Sequence, residues 1–222
     1  MALKGLVKRC KMYACENLRA EINHFQPEGI DIEYLDFGYH RHPGKLPPVL
    51  QERLERDREY DAILLGYGLC SKAVRGVRAV HQPLVIPRVH DCIALFLGSQ
   101  RLYREIFTQN PDIYFLTRGW LAEGVEPYAE YQEWCARYGE ETARWMKEEM
   151  YRHYRKLCLL DTGVTGLNGY YQQAARAADF LGAEFQLRRA DLRLLKKLLF
   201  GPWDEEFLVL QPGKEVRVEA FI

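Results

Sequence analysis

Two kinds of hydrophobic pattern alternate along this chain. "VKRCKMYA" alternates in the manner of a half-buried strand, and "CENLRAEINHF" continues at helical period, with Leu18, Ile22 and Phe25 on one face. "GIDIEYLDFG" predicts a second strand, "KLPPVLQERLERD" a helix whose start is marked by proline, and "YDAILLGYGLCS" a third strand running into a glycine-rich turn. "QPLVIPR" predicts a short buried strand, and a helix, "DCIALFLGS", begins directly after it. Strand and helix in alternation predict an α/β protein, Rossmann-like, with a largely parallel sheet flanked by helices.

Further along, "DIYFLTRGW" predicts a strand ending near Thr117 to Trp120. The charged stretch "PYAEYQEWCARYGEETARWMKEEMYRHYRK" follows as a helical connector with a break near Gly139. Its aromatic residues fit packing onto a core better than base stacking. Then come "LCLLDTGVTG", a strand into a second glycine-rich turn, the helix "YYQQAARAADFLG" closed by Gly182, the strand "AEFQLRRAD", the helix "LRLLKKLLFG" and a terminal strand or hairpin in "EEFLVLQPGKEVRVEAFI". The order of elements at the two ends of the chain is alike, which predicts two degenerate pseudo-repeated lobes joined by the helical segment. The expected division is a first lobe over 1–122, a connector over 123–155 and a second lobe over 156–222. In that alignment Cys15 corresponds to Asp161 or Thr162, and the Gly68–Cys70 turn to Pro212 and Gly213, so that thiols face a carboxylate, a hydroxyl and backbone donors across a cleft.

Charge adds an exclusion. Lysine and arginine total 31, as do aspartate and glutamate, so no field of one sign draws the chain to nucleic acid or to an anionic membrane. No stretch has the length of a membrane span, and the N-terminal segment lacks the apolar core and cleavage site of a signal peptide. The expectation is a cytoplasmic protein.

Six cysteines then have to be explained in a reducing compartment. None lies in a C-x-x-C pair, so no zinc ribbon, thioredoxin motif or ferredoxin run is encoded locally. Cys10, Cys135 and Cys158 lie inside apolar or amphipathic patterns and read as packing residues. Cys15, Cys70 and Cys92 differ, because each stands at a corner after a strand. In a parallel sheet such corners share one rim, and ligands bind where the winding reverses. Ordinary topology would therefore gather these three thiols.

Three thiolates fit several chemistries, and the spacing leaves them open. An iron–sulfur cluster of the 4Fe-4S type held by three cysteines keeps one iron available as a Lewis acid. Zinc fits three thiolates closed by His90, or two thiolates and His90 with a water. A metal-free nucleophile at Cys92 beside His90 or Arg88 is a third account. Around the corner, Arg88 could grip the carboxylate or phosphate of a small anionic substrate, or serve a structural salt bridge. His90 could be a general acid, a ligand or a donor behind a ligand. Asp91 stands where a helix N-cap is needed, and Glu16 in the first turn of its helix. Gly66 and Gly68 around Tyr67 permit a turn that exposes backbone N–H groups, and the Asp161, Thr162, Gly163 turn does the same in the second lobe. The chain has no G-x-G-x-x-G and no G-K-[ST], and "LLDTG" has no second motif to make an aspartic protease.

The blocks "LGYGLCSKAVRGVRA", "PLVIPRVHDCIALFLGS", "LTRGW" and "WDEEFLVLQPG" together resemble the uncharacterised family catalogued as domain of unknown function 1638, and the resemblance runs from "ACENLRAEI" to "LQPG". It implies that a cysteine after the first strand, one in a Y-G-x-C turn and one in a P-R-x-H-D-C corner recur; here those are Cys15, Cys70 and Cys92. It also implies anaerobic metabolism near corrinoid and methyl-transfer systems. A cluster-dependent lyase, sulfur-transfer or methyl-group enzyme is one expectation. A zinc-binding accessory protein for a corrinoid or methyltransferase partner is the other. Catalytic roles are expected of His90, Arg88 and Asp161, metal ligation of Cys15, Cys70 and Cys92, and cofactor contacts of Tyr67, Gly68, Thr162 and Gly163.

Overall fold

The structure, a computed structural model, describes residues 9–70, 72–164, 166 and 169–221; the expected start of the first strand at Val7 and Lys8 lies outside them. The described strands are β1 (Cys10–Cys15), β2 (Ile30–Leu35), β3 (Ala62–Gly66), β4 (Leu84–Pro87), β5 (Ile113–Leu116), β6 (Lys156–Asp161), β7 (Glu184–Arg189) and β8 (Phe207–Leu210). The helices are α1 (Arg19–Phe25), α2 (Gly38–Arg41), α3 (Leu46–Arg56), α4 (Cys92–Phe96), α5 (Gln100–Gln109), α6 (Arg118–Ala122), α7 (Pro127–Tyr138), α8 (Glu140–Tyr151), α9 (Tyr170–Leu181) and α10 (Arg193–Phe200). The chain forms two compact units: one ends at Tyr103 and resumes at Asp191, and the other runs from Arg104 to Ala190.

The first unit is built on a sheet of order β2-β1-β3-β4-β8. The first four strands are parallel and β8 runs antiparallel to β4. All five residues of β3 are buried, as befits a strand with neighbours on both sides and helices over its faces. Gly66 is required there, because a Cβ would stand 2.8 Å from the Cβ of Ala14 on β1. Proline opens α3, where a missing N–H costs nothing, and its buried Leu46, Leu50 and Leu54 recur every four residues. In α10 the buried Leu194, Leu195, Leu198 and Leu199 face α4, β3 and β4. Each such side chain contributes about 1.5–3 kcal/mol by leaving water.

The second unit holds a parallel sheet of order β5-β6-β7. Leu157 and Leu159 of β6 pack with Ala174, Ala177 and Ala178 of α9 in one apolar cluster. The charged helical region is the pair α7 and α8, broken at Gly139, whose φ of +82° favours glycine. Buried Glu126 caps α7 by accepting from the N–H groups of Tyr128 at 2.8 Å and Ala129 at 3.0 Å. Several aromatic residues of this region pack on protein: Tyr128 and Tyr131 both contact Phe180 of α9, and Trp134 stacks on Tyr151, whereas Tyr138 and Trp145 are exposed.

This division differs from the three segments drawn from sequence. The terminal elements α10 and β8 return to the first unit, because β8 satisfies the open edge of β4. The pseudo-repeat is likewise not carried through. β6, α9 and β7 follow the order of β1, α1 and β2, but β8 joins the other sheet and does so antiparallel. The matching of the Gly68–Cys70 turn to Pro212 and Gly213 therefore has no topological basis. Helix α5 and the short α2 and α6 had no counterpart in the expected order, and β5 ends at Leu116, before the Thr117 to Trp120 stretch expected to close it. In α5 Leu102, Tyr103, Ile106 and Phe107 recur at helical spacing and Tyr103 and Ile106 are buried, so its pattern was present in the sequence and was passed over.

The return of β8 is fixed by an ion cluster. Glu206 accepts from Arg193 at 2.6 and 2.8 Å and from Lys197 at 2.6 Å, and Lys197 also pairs with Asp204. These partners, Arg193 first, hold the Glu206 carboxyl down at about 2 against an ordinary value of 4.5. A depressed acid stabilises the fold above its unfolded pKa and withdraws that support as pH falls through its folded one. Unfolding followed by circular dichroism is expected to show stability lost between pH 4.5 and about 2, and Glu206→Gln is expected to be less stable at pH 7 yet to lose less over that interval.

Candidate functional site

The order β2-β1-β3-β4 places a reversal of winding between β1 and β3, where open α/β sheets leave a crevice at the C-terminal strand ends. Cys15 is the last residue of β1, Cys70 lies in the turn after β3, and Cys92 opens α4 after β4. The turns after β3 and β4 are joined by main chain. The Leu69 N–H donates to the Val89 carbonyl and the Cys70 N–H to the His90 carbonyl, each at 2.9 Å. Gly68 makes that approach possible, since a Cβ there would stand 2.8 Å from Val89 O and 3.1 Å from the Cα of Asp91. Cys70 itself takes a φ of +44°, a left-handed conformation unusual for a residue with a side chain.

The three thiols gather at this junction. Cys15 and Cys70 both push up the pKa of Cys92, and Cys15 also that of Cys70, so each lies within the electrostatic reach of the others. None is in a disulfide. Burial is the largest influence on all three: it raises the Cys15 thiol to about 11 and drives Cys70 and Cys92 well above the usual thiol value. N–H donors pull the other way. The Asn17 N–H donates to the sulfur of Cys15, the N–H groups of Gly68 and Cys92 donate to Cys70, and Asn17 Nδ2 donates to Cys92 Sγ at 3.4 Å. Tyr67, 5% exposed, packs with Cys15 and Cys70, and burial followed by those sulfurs keeps its phenol protonated. Among the described residues, no group of three or more histidine, cysteine, aspartate or glutamate side chains is already arranged to hold a metal ion.

At the β4–α4 corner, Asp91 caps the helix by accepting from Ile93 N–H at 2.9 Å, as its position predicted. Its other oxygen accepts from Tyr103 Oη at 2.8 Å and lies 3.3 Å from His90 Nδ1. The rings of His90 and Tyr103 stack with centroids 5.6 Å apart, and burial, then Asp91, keeps the Tyr103 phenol protonated. The His90 side chain is 61% exposed, and its ring is engaged with Asp91 and Tyr103. The backbone N–H of His90 donates to Gln100 Oε1 at 2.9 Å. Arg88 turns toward β8, donating from Nε to the Phe207 carbonyl at 3.2 Å.

Asp161, Thr162 and Gly163 lie at the end of β6, in the second unit. There Asp161 accepts from Gly163 N–H at 2.8 Å and from Arg189 at 3.2 Å, so its carboxylate already has partners within that unit. Gly163 has a φ of +66°, and a Cβ on it would meet the Arg189 guanidinium. Cys10 and Cys158 are buried in strands, as their apolar surroundings suggested.

Residues 34–199 match the model of a family described as "Protein of unknown function (DUF1638)", about three quarters of the chain. The chain belongs to the DUF1638 family. The DUF1638 span includes Cys70, His90 and Cys92, whereas Cys15 and β8 fall outside it, so the resemblance reaches less far along the chain than the residue blocks suggested. No curated protein and no solved structure matches.

Three participants escaped the sequence reading. Asn17, 1% exposed, follows Cys15 by two residues, and a polar side chain opening an otherwise amphipathic helix was the available signal. Tyr103 and Gln100 lie on α5, whose helical spacing of apolar residues was the available signal for the element. Gly68→Ala is expected to destabilise the protein by about 1–3 kcal/mol through the forced separation of the two turns. Denaturant unfolding checks this against Gly44→Ala, where a Cβ meets nothing within 4 Å.

Proposed function

We propose that this protein is a metal–thiolate protein in which Cys15, Cys70 and Cys92 hold an iron–sulfur cluster with one iron left open to a small anionic substrate. The observation that carries the reading is the convergence of three thiols from three separate corners, each provided with N–H donors to sulfur. A buried thiolate is costly without compensation, and N–H···S bonds together with a bound cation are what offset that cost. The donor set is chemically suited to iron, since cysteine thiolates are the usual ligands of such clusters. Three protein ligands leave one position open, and when bound the open iron supplies Lewis-acid activation of a hydroxyl, carboxylate or sulfur atom.

The chain's own groups have distinct work in this reading. Asn17 and the Gly68–Cys70 turn orient and screen the sulfurs. With its proton on Nδ1, His90 donates to Asp91, and its exposed ring is the general acid or base of this reading. Tyr103 completes the network by holding Asp91 in place. Lyase, sulfur-transfer and methyl-group reactions are the classes this equipment serves, and a corrinoid or methyltransferase partner belongs to the same reading.

The test is iron and acid-labile sulfide analysis on protein purified without oxygen. About four of each per chain is expected, the stoichiometry of a cubane cluster. Cys15→Ala, Cys70→Ala and Cys92→Ala are each expected to lose both, while Cys135→Ala retains them. Protein that stays colourless after anaerobic reconstitution, or that carries zinc alone, would overturn the reading.

A further inference from the structure

The sheet of the second unit ends on β7, which pairs with β6 and with no further strand among the described residues. Its pairing with β6 is one to one over the whole strand, without a bulge. The N–H groups of Glu184 and of Ala190, just past the strand, donate to the Arg155 and Asp161 carbonyls on the β6 side. Backbone groups alternate in direction along a strand, so those of Phe185, Leu187 and Arg189 point outward from the sheet edge. Such an edge is a template for another strand, and natural edges are blunted by proline, lysine, a bulge or a cover. The strand "EFQLRR" has neither proline nor lysine, and Glu184, Leu187, Arg188 and Arg189 are exposed.

Apolar surface lies uncovered beside the open edge. Leu187 is 50% exposed, although period two puts it on the same face as Phe185, which packs with the α9 cluster. Tyr171 of α9 meets the Phe185 ring edge-on and is itself 46% exposed.

The residues of β7 are also complementary to themselves. A second copy can continue the sheet antiparallel only about a two-fold axis perpendicular to it, which sets residues of the same face opposite one another. With the axis at Gln186, Phe185 stands opposite the partner's Leu187, and Glu184 opposite the partner's Arg188. The outward backbone groups of Phe185 and Leu187 then form the hydrogen-bonded pairs, and Glu184 and Arg188 fall at the other positions, where side chains come closest. Moving the axis by one residue either way matches no opposite charges. Within its own chain Glu184 accepts from Gln186 Nε2 at 2.8 Å and Arg188 reaches the Cys158 thiol, so neither has an opposite charge among the described residues.

We propose that β7 is a dimerisation edge, to which a second copy of this chain adds its own β7 antiparallel through Gln186, so that the two sheets continue as one. Main-chain hydrogen bonds supply the attachment, and the two Glu184–Arg188 pairs and two Phe185–Leu187 pairs select the register.

Sedimentation velocity of the full chain over a concentration series, with a thiol reductant present so that no disulfide links the copies, tests the proposal. A reversible dimer is expected. Glu184→Arg and Arg188→Glu are each expected to weaken it at least about tenfold, since each turns two attractions into two repulsions. An equimolar mixture of the two variants is expected to recover the dimer, because every opposed pair is again of opposite charge, and so is the double variant carrying both changes. Leu187→Pro removes an N–H that β6 does not use, so it is expected to keep its circular dichroism and to be monomeric. A wild-type chain that is monomeric throughout, a dimer that survives both reversals and Leu187→Pro, or a mixture that stays monomeric would overturn the proposal.

Discussion

The junction between the turns after β3 and β4 governs the rest of the site. Two main-chain hydrogen bonds, from Leu69 and Cys70 to Val89 and His90, hold two corners together that are some twenty residues apart in sequence. They form only because Gly68 lets backbone approach backbone. Cys70 is turned into a left-handed conformation at the same place, and the thiols of Cys70 and Cys92 become neighbours. Cys15 joins them because β1 lies beside β3 at the reversal of strand order. A small residue and a topological switch thus do together what no local motif encodes.

That gathering carries an electrostatic consequence. Three thiols with a carboxylate nearby resist deprotonation, and burial adds to the resistance. The N–H groups of Asn17, Gly68 and Cys92 and the Asn17 side chain oppose it, but they are dipoles, not charges. The Arg88 guanidinium is drawn away from the thiols to β8. His90, Asp91 and Tyr103 lie at the β4–α4 corner itself, with the imidazole exposed.

Most of the α/β order, the break at Gly139 and the Asp91 cap were legible in the residues, because they are local: apolar periodicity, a glycine needing positive φ and a side chain reaching the next turn. The corner positions of Cys15, Cys70 and Cys92 followed from the same local reading plus the rule that parallel strands share a rim. Asn17, Tyr103 and Gln100 were not legible as site residues, since what marks them is contact with residues far away in the chain. The repeat was misleading for a related reason. Likeness in element order says nothing of which edge a strand will find, and β8 found the edge of β4.

By itself the sequence determined most of the order of strands and helices, and which cysteines stand at corners and which are packed in strands. Tertiary structure alone decided that β8 returns antiparallel, that Arg88 is fastened to it, and that two turns are joined through Gly68. The physical reason is the range of the forces concerned. Periodicity and capping act within a few residues, whereas edge pairing and close backbone approach depend on partners that only folding brings within reach.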